Sequence, residues 1–566
     1  MRPPRRVLFE GEIKGEDMKK LVALLLSASM LIGLSACSNS DSSKKKNRSK
    51  FTMAETSEVI STETDLTIPS ISDTDPTDTI PTGTEPSDTD PTGPGMPVSH
   101  DLTQILVDHN PEVRMYGAID PTQESEFGEM VGSEFLYLDE LVFVDQDDQA
   151  VLNYQKALSD IYDAQHDPLA RKYEDYLNRF CQYQEEGQTL PNEVFISSSN
   201  IFRCDTEILS VAMNNKTLTQ EGYGGNFDIE CHNFRASDGS RIEISDVIKN
   251  PDALLNYLEN MYPEDDDICE NVASRIGHSD PIMALTYDGV IFPEYWVKVP
   301  VTEVPDAFDM KYFFNTPDVY SLYLDNFHRL DWDFDGDGDF EVLECSLQQK
   351  DYVVSELDIT LDGQTYGFTT NEIPSLGYAT DFRNELSHMV SFTETGKYIL
   401  LTLAKDFLTD VIYVFRIGPD GIEYLNEILD TRPLDVYDPT HMYVVKSNYV
   451  LNRSTLYGTY TLNEDGSLSE YTIMQMMCAG PFVLKQDLVV KELDEASWSV
   501  GDEITLKKDT PVSFYSYDPY QHTLLMEVLH PDDSDNFIVY AKIDEDDRTI
   551  SDLPLKEVFA GFRHDY

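Results

Sequence analysis

Basic residues are scarce in this chain. Its 566 residues carry 41 Lys and Arg against 104 Asp and Glu, a formal net charge of −63. Nucleic acid needs a basic footprint that displaces phosphate counterions, so no nucleic-acid partner is expected. Long apolar runs are lacking too. The run from Leu21 to Leu34 falls short of the ~20 residues a bilayer-spanning helix needs, and no other stretch reaches that length. The 7 cysteines form no CxxC pair, and Cys231-His232 has no partner pair, which argues against zinc. The G-x-S-x-G, H-E-x-x-H, P-loop and dinucleotide-binding patterns are missing, and the 11 histidines are scattered singly. The chain is therefore read as non-enzymatic.

What is present begins at the N-terminus. "MKKLVALLLSASMLIGLSAC" has a Lys19-Lys20 pair, an apolar run and the ending Leu34-Ser35-Ala36-Cys37. That order is a signal peptide, and its end resembles the lipobox of bacterial lipoproteins. The resemblance implies that Cys37 is acylated and becomes the mature N-terminus, anchored on the outer face of the cell membrane. Glu10, Glu12, Glu16 and Asp17 precede the Lys pair, which is wrong for a signal. Met18 is expected to be the true start and residues 1–17 an upstream artefact. Residues 38–100 collapse to Ser, Thr, Asp, Pro and Gly, a composition with too little apolar surface to offset ordering entropy. Extended, this linker would reach on the order of 200 Å. Its basic cluster, Lys44 to Lys50, would rest on anionic headgroups.

Aromatic content of 11%, with 32 Tyr and 27 Phe, indicates that the rest folds. The expected class is α+β: a mixed N-terminal domain over 101–330, a β-rich domain over 331–475 opened by an acidic loop, and a small β-barrel-like domain over 476–566. Val151, Leu152, Tyr154, Leu158, Ile161 and Tyr162, then Tyr173, Tyr176, Leu177 and Phe180, recur at helical spacing. Strands are expected from Asn192, with a turn at Asp238-Gly239. Ser245 is expected to cap a helix over 246–260, and Thr316-Pro317 to open a short helix with Val319, Leu322, Tyr323 and Phe327 on one face.

Tyr223-Gly224-Gly225, "FRASDGSRIEISDVI" and "LTYDGVIFPEYWVKVPVTEVPDAF" carry a family resemblance. Residues from about 110 to 312 resemble the ectodomain of the lysozyme-sensing anti-sigma factor RsiV, a domain that also precedes some peptidoglycan deacetylase domains. The family often continues its Gly-Gly as Gly-Gly-x-His, where this chain has Asn226 and Phe227. The resemblance implies a surface protein of Gram-positive type that binds cationic proteins such as lysozyme, or cell-wall glycan.

The sharpest motif is "DWDFDGDGDFEVLE", residues 331–344, with five Asp, two Glu and no Lys or Arg. Two carboxylates about 4–5 Å apart repel by roughly 3–4 kcal/mol at an effective dielectric near 20. Counted from Asp333, positions 1, 3 and 5 are Asp333, Asp335 and Asp337, with Gly338 at 6, Asp339 at 7, Glu341 at 9 and Glu344 at 12. Alternate residues would point inward around a hard cation, and Gly338 permits the sharp turn. Counting from Asp331 would put Val342 at position 12. Every candidate ligand is oxygen, so calcium is expected, with Asp333, Asp335, Asp337 and Glu341 giving side chains and Asp339 its carbonyl. The flank "EVLECSL" alternates like a strand, which makes Glu344 optional. Six ectodomain cysteines, an even number, permit disulfides, but their spacing fits buried thiols as well. The reading is a calcium-stabilised surface lipoprotein that binds or senses at the envelope. A peptidoglycan-processing accessory or enzyme, and a purely structural lipoprotein, stand beside it.

Overall fold

A computed structural model describes residues 98–119, 130–146, 148–185, 193–219, 222–262, 266–276, 282–350, 353–383, 387–405, 410–448, 454–470, 475–494, 499–518, 521–528, 537–544 and 548–560. Cys37, the signal segment and the linker up to residue 97 lie outside them, whereas residues 98–100, expected in the linker, are part of the described fold. The fold is α+β, with few helices and mostly antiparallel sheets.

Strands β1 (Val107–Ile119) and β2 (Met130–Phe143) form a hairpin, and helix α1 (Gln149–Glu185) crosses from β2 to β3 (Glu193–Cys204), which pairs with β2 in parallel. Parallel neighbours need such a crossover. Strands β4 (Ile208–Thr219) and β5 (Gly222–Arg235) complete a five-stranded sheet. The two helical stretches of the sequence are one helix that runs through Pro168. Val151, Tyr154, Leu158, Tyr162, Leu169 and Tyr173 form its buried stripe, and Leu152 faces outward.

The helix expected over 246–260 is two: α2 (Ile244–Val247), capped by Glu243, and α3 (Pro251–Met261), capped by Asn250. Pro251 pushes Asn250 out of the helical region and then serves as the first helical residue. Helix α4 (Asp266–Ile276) follows, then the short strands β6 (Ala284–Leu285), β7 (Gly289–Phe292) and β8 (Val297–Pro300). The helix expected after Thr316 is instead strand β9 (Tyr320–Tyr323). All four of its residues are buried, so period-2 pairing in a sheet core overrides the Thr-Pro start signal.

Strands β10 (Arg329–Trp332), β11 (Glu341–Lys350), β12 (Val353–Leu361) and β13 (Gln364–Thr369) form a four-stranded sheet. Strands β14 (Asp381–Phe382), β15 (Met389–Thr393), β16 (Gly396–Ala404), β17 (Asp410–Gly418) and β18 (Gly421–Leu429) join β9 in a second. From β19 (Thr431–Asp435) and β20 (Met442–Asn448) onward, the chain builds one continuous sheet to residue 560. Its strand Gln475–Leu484 pairs with Ser454–Leu462 on one side and Pro511–Asp518 on the other. One apolar cluster runs from Leu102 through α3 and β7 to β11 and Ile422. The acidic loop thus sits over a core shared with residues 102–330. Near residue 98 the chain lies parallel to 314–316: Ser99 N–H donates to the Phe314 carbonyl (2.9 Å), Thr316 N–H to Ser99 (2.8 Å) and Leu102 N–H to Thr316 (3.4 Å).

Cys204, Cys231 and Cys345 are buried thiols without a disulfide, and burial pushes all three thiols up. Cys181 and Cys478 have side chains outside the described set. Among the described residues no helix is long and apolar enough to cross a membrane.

A buried polar seam joins β1–β3 to β19–β20. Tyr437 Oη accepts from Val107 N–H (2.8 Å) and donates to the Ile105 carbonyl (3.2 Å). His109 places Nδ1 on Asp139 (2.8 Å) and Nε2 on Asp435 (3.3 Å), and stacks on Tyr443 at 3.9 Å between ring centres. The same carboxylate oxygens accept Ser199 N–H and Ile201 N–H. Burial alone would lower the His109 pKa, but the Asp139 and Asp435 carboxylates override it and hold it at about 10. With both ring nitrogens facing carboxylates, the ring is a doubly donating imidazolium. A raised His contributes stability that is complete below its unfolded value and lost as pH climbs through its folded value. Urea melts should therefore show stability declining from pH 6.5 to 10, and His109→Gln should flatten that decline. Burial holds the Asp435 carboxyl above its ordinary value although His109 pulls it down.

Candidate functional site: a carboxylate-lined hairpin loop

The acidic stretch is the turn between β10 and β11, which pair Arg329–Glu344, Leu330–Leu343, Asp331–Val342 and Trp332–Glu341. Aromatic residues inside the stretch hold it to the core. Trp332 is fully buried and donates Nε1–H to the Tyr320 hydroxyl (3.0 Å). Phe334 stacks on Phe392, and Phe340 packs against Phe314 and Trp332. Lys397 Nζ donates to the Phe334 carbonyl. The alternation Trp-Asp-Phe-Asp thus sends apolar groups into the core and carboxylates toward the loop.

The loop's backbone is shaped by its own carboxylates. Asp333 Oδ1 accepts Gly336 N–H (2.6 Å) and Oδ2 accepts Gly338 N–H (3.0 Å). Asp335 accepts Asp337 N–H, and Asp337 accepts Asp339 N–H, each in a short Asx turn. Gly336 (φ +83°) and Gly338 (φ +93°) take the left-handed conformation such a turn demands. Glu341 reaches back to accept Phe334 N–H at 2.6 Å.

Asp333, Asp335, Asp337 and Glu341 each present a carboxylate oxygen within 4.8 Å of the others. Oxygen ligands on opposite sides of a calcium ion stand about 5 Å apart, so the four fit around one such ion. Asp333 is buried, Asp335 and Asp337 are exposed, and Glu341 is half-buried. Burial pushes the Glu341 carboxyl up, and Asp335, Asp333 and Asp337 push the same way against the Phe334 N–H. Asp339 is exposed and contributes no side chain to the group. Asp331 is committed elsewhere, in a two-pronged pair with Arg329 (2.8 and 3.0 Å). Glu344 is exposed in β11 opposite Arg329. Asp331 and Glu344, position 12 counted from Asp333, thus both stand outside the group.

Sequence reading located the loop but not its supports. The reach of Glu341 to Phe334 and the aromatic pins leave no spacing signal. The buried pairs Arg203–Asp205 and Lys298–Asp288 were equally silent, because no periodicity marks a charged residue for burial.

No family model matches this chain, and no curated protein matches it. Solved structures do show likeness. A member of the DUF3298 family from Bacteroides fragilis overlaps 38% of this chain and 96% of its own, at 11% identity and a TM-score of 0.24. A DUF3298 family protein from Pseudomonas aeruginosa overlaps 37% and 97%, at 10% identity and a TM-score of 0.23.

Proposed function

We propose that this is a lipid-anchored, non-enzymatic cell-surface protein that binds or senses at the envelope, its central hairpin stabilised by calcium. The observation that carries the calcium part is the convergence of Asp333, Asp335, Asp337 and Glu341 within one loop. Only oxygen is on offer, which selects a hard cation over zinc. Asp339 would add its carbonyl. The Leu34-Ser35-Ala36-Cys37 ending supports the anchor, and the resemblance of residues 110–312 supports a binding role toward cationic proteins such as lysozyme, or toward cell-wall glycan.

A cation that binds the folded loop far better than the open chain stabilises by RT ln(1 + [Ca]/Kd), about 2.7 kcal/mol at one hundred times Kd. Extracellular modules bind at roughly 10⁻⁴ to 10⁻³ M. Calcium at millimolar levels should raise the melting temperature and EDTA should reverse it. Asp335→Ala should abolish the response, and should cost less in chelator than in calcium because it also removes repulsion. A melting curve indifferent to calcium and EDTA would reduce the loop to a solvated turn.

Cys37→Ala should release the protein from membranes; a variant that stays membrane-bound, with a native N-terminus upstream of residue 37, refutes the anchor. Lysozyme captured by the full chain should stay bound above ~0.15 M salt, where the Debye length is below about 8 Å. Capture that vanishes there is charge attraction alone.

A further inference from the structure

Lys298 is wholly buried, an unusual place for an ammonium group. Its side chain is 0% exposed and that of Asp288 3%. Lys298 Nζ donates to Asp288 Oδ2 and to the Tyr323 carbonyl. Ile291 stands opposite Lys298 across the strand pair and is 0% exposed. Gly289 allows the close approach. A Cβ there would stand 2.3 Å from the Val299 carbonyl oxygen, so any side chain would drive β7 and β8 apart.

Two opposite charges in such a site face a desolvation penalty of several kcal/mol each, and an apolar pair of similar volume would often be as stable. Transfer of one proton from Nζ to Oδ2 removes both charges, leaving an amine beside a carboxylic acid. We propose that Lys298 and Asp288 condense there into an intramolecular isopeptide bond. The Nζ lone pair attacks Asp288 Cγ, forming the N–C bond. A second Nζ proton passes to Oδ2, which departs as water, and one N–H remains on the amide. An ammonium and a carboxylate thus become an amide and water, with no oxidant or cofactor.

The surrounding groups suit each step. The Thr286 hydroxyl donates to Asp288 Oδ1 (2.9 Å), where negative charge builds in the tetrahedral intermediate. The Tyr323 carbonyl orients the amine. Asp325 lies on the loop between Tyr323 and Asn326, both bonded to Lys298, and from there would relay the proton between nitrogen and leaving oxygen. It is buried beside Lys298, whose charge it feels, and burial holds its carboxyl above the ordinary range, in the proton-bearing direction. Phe327 and Arg329 N–H groups fix one of its oxygens (2.9 and 2.8 Å). Asn326 accepts from Lys298 N–H (3.0 Å), keeping this loop against β8.

Mass spectrometry of the full chain decides the matter. The purified protein should be one water lighter than the mass expected of its processed chain, whereas Lys298→Met and Asp288→Ala chains, processed alike, should match theirs. Glu294 lies between the two residues, so a glutamate-specific protease should leave the Asp288 and Lys298 fragments joined. Asp325→Asn should fold, by circular dichroism, yet keep the full mass; a joined Asp325→Asn chain would overturn its role as proton carrier. A wild-type chain of full mass, whose fragments separate after digestion, overturns the bond itself. That result needs no variant to fold.

Discussion

Replacing Arg203 with Met should destabilise the fold by about 3–5 kcal/mol, the scale of leaving one buried charge without its partner. Arg203 is 1% exposed, and its Nε donates to Asp205 at 2.6 Å. Nη1 donates to the Tyr312 carbonyl (2.7 Å), and the guanidinium lies 4.7 Å from the centre of the Tyr287 ring. It therefore ties the five-stranded sheet to the segment that leads into β9. Asp205 is 0% exposed and also accepts the Glu207 and Ile208 N–H groups. Removing the Arg strands that carboxylate. Arg203→Met/Asp205→Asn should recover part of the loss, because the second change discharges the stranded group. Urea denaturation of the three chains measures both effects. If the double variant is as unstable as the sum of its singles, the pair is not coupled and packing is the cause.

Trp332→Ala should cost a similar ~3–5 kcal/mol, through a large unfilled cavity. Its further effect distinguishes it from an ordinary core deletion. Trp332 touches Phe314, Phe340 and Phe392, the rings that seat the acidic loop. Without it the carboxylates lose their common frame, so the calcium-induced rise in melting temperature should shrink along with the melting temperature itself. Trp332→Phe should keep most of that rise. A full calcium response in Trp332→Ala would mean that Asp333 and its Asx turns position the ligands unaided.

The acidic loop was legible because its information is local: alternating Asp, two Asp-Gly steps and a Glu at fixed offsets describe one turn. Helix α1 was legible for the same reason, its stripe repeating within a single element. The short helix expected after Thr316 was not a strand to any local rule. Thr316-Pro317 is a sound helix start, and only pairing with β15, distant in sequence, makes 320–323 extended. The helix over 246–260 was over-extended by discounting Pro251, a local signal that was present. His109, Arg203 and Lys298 were illegible on different grounds. Each is matched to a carboxylate by strand pairing or loop closure, and no periodicity marks a charged residue for burial. Of the loop itself, spacing named the four carboxylates that converge, while the aromatic pins read as ordinary core residues.

The path of the chain at Ser99 has a mechanical consequence. Ser99 runs parallel to Asn315, and three backbone hydrogen bonds, from Ser99, Thr316 and Leu102, lie along that contact. A pull from the N-terminal side acts along the strand direction. It loads the three bonds together, in shear, instead of opening them one after another as a zipper. This N-terminal segment backs onto Phe314, which packs against Phe340 of the acidic loop. Tension on the N-terminal chain is therefore borne first by the same aromatic base that seats the carboxylates.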